Sequence, residues 1–129
     1  MRVLFFLSLF ILSSCGCSRD EKPNFSNATL LEMARKGDPE LKIILPENIA
    51  QSVVDCNLYT PACRYGVKVV VKKIEMKALF YDEQEDALKA AKRMRGYVTR
   101  NWALDDVTGE PILERFVVKY LEAEKAQDL

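Results

Sequence analysis

Histidine is missing from this chain altogether. The imidazole is the side chain most often used as a general base near neutral pH and the commonest metal ligand. Catalysis by a Ser-His-Asp centre is therefore excluded, and a metal site would have to be built from thiols and carboxylates. An excess of charge is missing too, since 19 Lys and Arg stand against 19 Asp and Glu. Nucleic-acid-binding domains draw non-specific affinity from a basic excess, so a neutral total argues against that class of partner. Long apolar runs are absent as well. The longest, residues 3–12, is about half the roughly 20 residues that a membrane-spanning helix needs. With 129 residues, no internal repeat and no low-complexity tract, the chain amounts to one small domain with a modest core.

What is present begins at the N-terminus. Arg2 precedes the apolar run, and Leu12-Ser13-Ser14-Cys15 closes it. A positive start, a short apolar stretch and small residues before a cut site make a secretory signal peptide. The cysteine after Leu-Ser-Ser resembles the lipobox of bacterial lipoproteins, in which an aliphatic residue and two small ones precede an invariant cysteine. The resemblance covers residues 1–15 only. It implies that Cys15 is acylated and becomes the first residue of the mature chain, held in the membrane by two or three acyl chains. Gly16 stands where an aspartate would favour inner-membrane retention in enteric bacteria, so the same family rule points to the outer membrane. The domain would then face the periplasm or the cell surface. The competing readings are a soluble secreted form cut near Ser14 and acylation at Cys17, the latter requiring Ser14-Cys15-Gly16 as the lipobox.

Processing removes residues 1–14, and with them one base and no acid, leaving a mature chain of about 115 residues with a charge near −1. Residues 15–26 are polar, carry Pro23 and read as a flexible tether. The domain spans residues 27–129. Leu30, Leu31 and Ala34 share one side of a short helix that Ser26 or Asn27 caps and Gly37 ends. Residues 41–45 form an apolar run, either strand or helix. Ile49, Ala50, Val53 and Val54 recur at helical spacing after Pro46 and predict a second short helix.

Residues 67–81 give the clearest strand signal. Val67, Val69 and Val71 alternate with Lys68, Val70 and Lys72, then the apolar phase moves to Ile74, Met76, Ala78 and Phe80. A bulge or bend near Lys72-Lys73 would absorb the shift. Asp82 and Glu85 then open a helix with the stripe Ala87, Leu88, Ala91 and Met94, stopped by Gly96. Residues 97–104 read as another strand. A final helix carries Ile112, Leu113, Phe116, Val117, Tyr120 and Leu121, and residues 122–129 read as a frayed polar end. The pattern β-α-β-α predicts an α+β domain, a small two-layer sandwich with helices on one face of a sheet. Its strands are either parallel with a crossover helix or joined by a third strand from residues 41–45.

Few residues carry candidate chemistry. Cys56 and Cys63 sit in one turn-rich loop and, beyond the cytoplasm, favour a disulfide. Thiol redox work by the same pair is the alternative, although it prefers Cys-x-x-Cys at a helix N-terminus. Cys17 is left odd: free, paired with another chain, or the acylated residue. Lys89, Lys92, Arg93, Arg95 and Arg100 make either a basic patch or a solvated helix face with a Glu85–Lys89 pair. The only tryptophan, Trp102, lies beside Arg100 and near Tyr97, a composition that suits a partner-binding spot as well as a core. Asp105, Asp106 and Glu110 lack the spacing of a calcium loop. No catalytic residue, metal or cofactor emerges. The expectation is a lipid-anchored, non-enzymatic binding or structural module. An accessory subunit of a larger envelope complex, docking at the Trp102 region, and a thiol/disulfide redox protein are the alternatives.

Overall fold

The phase shift at Lys72-Lys73 marks the tip of a β-hairpin. In the computed structural model, which describes residues 22–48 and 51–129, β2 (Tyr65–Val71) pairs antiparallel with β3 (Ile74–Phe80), Val71 opposite Ile74. Both intervening lysines are left-handed, Lys72 at φ 50° and Lys73 at φ 68°. A tight two-residue turn of the primed kind requires this. It also explains the shift: across such a turn Val67, Val69 and Val71 share one face with Ala78, Met76 and Ile74. The chain therefore reverses at the lysines, where a bulge in one long strand was expected.

The same device recurs. Residues 97–104 contain two strands, β4 (Tyr97–Thr99) and β5 (Trp102–Asp105), turning at Arg100 and Asn101, with Arg100 at φ 51°. With β1 (Lys42–Ile44) and β6 (Glu124–Lys125) they complete a six-stranded sheet in the order β1-β2-β3-β5-β4-β6. Every neighbouring pair is antiparallel, so the parallel alternative is replaced by hairpins. The strand from residues 41–45 is present, as β1.

Three helices cover this sheet. α1 (Asn27–Gly37) starts at Ser26, whose side chain accepts from the Thr29 N–H. α3 (Pro111–Tyr120) starts with a proline at its first turn. Leu30 and Ala34 of α1 and Leu113, Phe116 and Val117 of α3 pack on the face that carries Val69, Met76, Trp102 and Leu104. α2 (Gln84–Arg93) takes the opposite face, where Ala87, Ala90 and Ala91 meet Leu79, Val98 and Ala103. The domain is α+β as the pattern predicts, but helices lie on both faces of the sheet. Small residues on α2 suit a helix laid close against strands.

Other expectations are corrected. Residues 46–48 and 51–54 form no helix, and Ile49 and Ala50 lie outside the described residues. Val54 instead inserts singly against Gly66, where an added Cβ would come within 2.8 Å of it. One anchored side chain needs no helical stripe. α2 is stopped by left-handed Arg95 (φ 54°), not by Gly96. Gly96 answers a different need, since a Cβ there would collide with the Leu104 carbonyl. Ile112 is 44% exposed and stands outside the buried stripe of α3. Residues 122–129 are also built in: β6 pairs with β4, and Ala126 is fully buried, its N–H donating to the Gly96 carbonyl at 3.0 Å.

Candidate functional site

The turn between β4 and β5 carries an asparagine with no solvent exposure, Asn101. A buried amide must have its hydrogen-bonding groups satisfied, and the partners of this one define a site. Its Nδ2 donates to the Tyr81 carbonyl at 3.0 Å, while its own backbone carbonyl accepts from the Tyr81 N–H at 2.9 Å. Its Oδ1 accepts from the backbone N–H of Phe25 at 2.9 Å. The neighbouring Trp102, also fully buried, donates its indole N–H to the Phe25 carbonyl at 2.9 Å. Both main-chain groups of one residue are thus held by two adjacent side chains of the hairpin.

Around this grip the rest of the N-terminal segment is fixed. The guanidinium of Arg100 lies 4.8 Å over the Phe25 ring, a cation–π contact, and pairs with Glu122 at 3.2 Å. Gln84, in the first turn of α2, donates to the Lys22 carbonyl at 2.6 Å and to Asn24 Oδ1 at 2.9 Å. Asn24 in turn donates to the Asp82 carbonyl. Behind Trp102 an aromatic stack supports the indole: Phe80 lies edge-on at 5.2 Å, and Tyr65 stacks on Phe80 at 4.7 Å. Residues 22–26, expected as tether, are therefore docked on the domain, and Asn101 is the residue that sequence reading missed. Its one signal was an amide at a tight turn beside a tryptophan.

The expected partner-binding residues are placed differently from one another. Trp102 is core and carries the dock. Tyr97 is buried, its hydroxyl donating to Glu114 at 2.6 Å. Burial pushes its phenol up to about 12, with the hydrogen bond and charge of Glu114 adding to the effect. Arg100 is half-buried and engaged by Phe25 and Glu122. These three do not form an open docking surface.

Cys56 and Cys63 are joined in a disulfide with Cα atoms 4.8 Å apart. Its loop is tied to the sheet by Tyr59, which donates to Asp105 at 2.6 Å, and by Tyr81, which donates to the Pro61 carbonyl at 2.6 Å. Burial raises the Tyr59 phenol, helped by the hydrogen bond to Asp105, and it raises the Tyr81 phenol to about 12, helped by the charge of Asp86. Asp106 pairs with Lys77 at 3.1 Å, and Lys89 pairs with Glu85 at 3.1 Å one helical turn away. No group of three or more Cys, Asp or Glu side chains among the described residues is arranged to hold a metal. No helix among them is long and apolar enough to cross a membrane. Cys15 and Cys17 lie outside the described residues. Compared with protein-family models, with curated proteins and with solved structures, the chain finds no match.

Proposed function

We propose that the chain is a lipid-anchored bacterial envelope protein, a non-enzymatic binding or structural module held on the membrane through acylated Cys15. The sequence Leu12-Ser13-Ser14-Cys15 carries this reading. The dock supports it by giving the anchor a mechanical attachment. Seven peptide steps separate Cys15 from Lys22, where Gln84 first takes hold. At no more than about 3.6 Å each, they reach about 25 Å. A domain of this size has a radius of gyration near 13 Å, so the dock is the tethered end and stays within about 25 Å of the bilayer.

The disulfide fits a structural brace in an exported protein. Cys63 is buried and its loop is tied to the sheet, whereas exchange chemistry needs an accessible, activated sulfur. The test is metabolic labelling with a fatty acid. Labelling is expected in the native chain and lost in Cys15→Ser, which should accumulate as precursor or soluble protein. Undiminished labelling in that variant would overturn the reading and move the anchor elsewhere.

A further inference from the structure

We propose that the end of the domain opposite the dock binds a linear anionic polymer, one bearing phosphate or carboxylate groups, through Arg35, Lys36, Lys42, Lys72 and Lys73. The five are scattered in sequence, and the fold gathers them. Arg35 and Lys36 occupy the last turn of α1. The Asp38 carboxylate just beyond accepts from the Lys72 backbone N–H at 2.7 Å, which fixes the helix end to the hairpin tip. Lys42 opens β1 opposite Val70, two residues before that tip. All five side chains are exposed, and among the described residues none forms an ion pair. The acids nearby are Glu32, one turn before Lys36 on α1, with Asp38, Glu40 and Glu75, so four acids stand against the five cations and Lys68. Asp38 is buried, with both oxygens taken by backbone N–H groups, and Glu75 is paired with Lys68.

A second observation concerns the backbone. Lys72 and Lys73 hold the two left-handed positions of a tight hairpin turn, where Asn-Gly is the favoured pair. Single left-handed residues recur at Arg95, Arg100, Asp106 and Glu122, but among the described residues two in succession stand only at this tip. What the two lysines add there is positive charge at the furthest point of the hairpin. The tip stands seven residues along β3 from Phe80, which supports the dock, or about 24 Å at strand spacing. At the dock end acids outnumber bases, with Asp82, Glu83, Glu85, Asp86, Glu122 and Glu124 around Lys22, Arg64, Lys89 and Arg100. The neutral total conceals this segregation.

The chemistry of the tip selects the partner. Lysines without an aromatic or apolar anchor are poor protein-interface residues, which favour Tyr, Trp and Arg. Mobile ammonium groups suit a repeating polyanion, whose condensed counterions they release. On the envelope reading the dock is the tethered end, so the tip is the end left free to meet the polymer. That last point rests on the envelope reading; the binding itself does not.

The experiment uses the native full chain, first in detergent and then inserted in neutral phosphatidylcholine vesicles, with fluorescent polyphosphate and polygalacturonate as probes. We expect one or both probes to bind and to dissociate as salt rises. In Lys72→Asn/Lys73→Gly the affinity should fall about tenfold, with a salt slope shallower by roughly one to two, while the melting temperature stays the same or rises. Lys89→Gln, on α2, should bind as the native chain does. No binding of either probe, or equal binding by the turn variant, overturns the proposal. Clustering of phosphatidylglycerol vesicles without polymer binding overturns it in favour of a second membrane. A chain that fails to float with vesicles yet binds polymer in detergent refutes the anchor and leaves the tip standing.

Discussion

Replacing Asn101 by alanine tests whether the dock is built or incidental. The substitution removes two side-chain hydrogen bonds and strands their partners, the Tyr81 carbonyl inside the sheet and the Phe25 N–H at its margin. An orphaned buried group costs about 1–3 kcal/mol, and a group that can reach water costs less. Tyr81 is 3% exposed and offers no route to solvent, whereas Phe25 is only half-buried. The sum is therefore about 2–4 kcal/mol, a large share of the 5–15 kcal/mol that a domain of this size commands. Denaturant melts of Asn101→Ala should show that loss with an unchanged slope. Hydrogen exchange supplies the local readout: the Phe25 amide, protected in the native chain, should exchange freely in the variant, while the core amides of β3 exchange faster only in proportion to the loss of global stability. A change below about 0.5 kcal/mol, the range of ordinary surface substitutions, with Phe25 still protected, would refute the idea that Asn101 holds the segment.

Further outcomes follow from the core, the loop and the tyrosines. Phe116 is 3% exposed, lies against the Tyr120 ring and lines, with Leu30, Met76 and Ala78, a cavity of about 20 Å³. Phe116→Ala enlarges that space and should cost about 3–5 kcal/mol in a melt, whereas exposed Arg115→Ala should change stability by less than about 0.5 kcal/mol. Cys56→Ser with Cys63→Ser frees a ring of eight residues and should cost roughly 2.5 kcal/mol by loop entropy; native chain carrying both thiols free would contradict the pairing. Tyr97 has its phenol raised from about 10 to about 12, so the folded state favours the neutral form. Its contribution is complete below pH 10 and disappears as pH climbs through 12. Tyr97→Phe should flatten the alkaline loss of stability in that window, and an unaltered alkaline limb would show that Tyr97 does not contribute to it.

The helices were the legible part of this fold. α1 and α3 announce themselves because an apolar stripe with period 3.6 and a capping serine or a proline give two concordant signals. α2 does so by its stripe and acidic first turn, although it begins after Glu83 with no side-chain cap where Asp82 was expected to supply one. The hairpins did not. A change of alternation phase is produced equally by a bulge and by a two-residue turn, and only the turn residues separate the two. Lys72-Lys73 and Arg100-Asn101 withhold that sign, for neither pair contains the glycine that primed turns favour. Long-range pairing resolved the ambiguity, since β3 must offer one edge to β2 and the other to β5. The C-terminal residues were illegible for a related reason. Ala123 and Ala126 are buried on opposite faces of the sheet, Ala126 in the cluster under α2 with its N–H on the Gly96 carbonyl, and two small apolar residues in a polar tail show no periodicity.

Trp102 illustrates how a site can be marked correctly and its occupant missed. An indole beside an arginine at a turn has the composition of a recognition spot whether the recognised chain is another molecule or the same one. Here the chain itself supplies residues 22–26. Nothing in Lys22-Pro23-Asn24-Phe25-Ser26 announced that role, because Asn101 and Trp102 grip the N–H and C=O of Phe25, groups that every residue but proline carries in full. Only the ring under Arg100 is specific to phenylalanine. A dock made of side chains on one strand and backbone on the other therefore constrains the receiving sequence far more than the received one. By that logic Phe25→Leu should lose the cation–π contact, worth about 0.5–1 kcal/mol at a partly exposed site, and keep the Phe25-position amide protected. Asn101→Ala should lose that protection with the phenylalanine intact. The opposite pattern, with protection lost in Phe25→Leu and kept in Asn101→Ala, would mean that the ring holds the segment and the amide merely accompanies it.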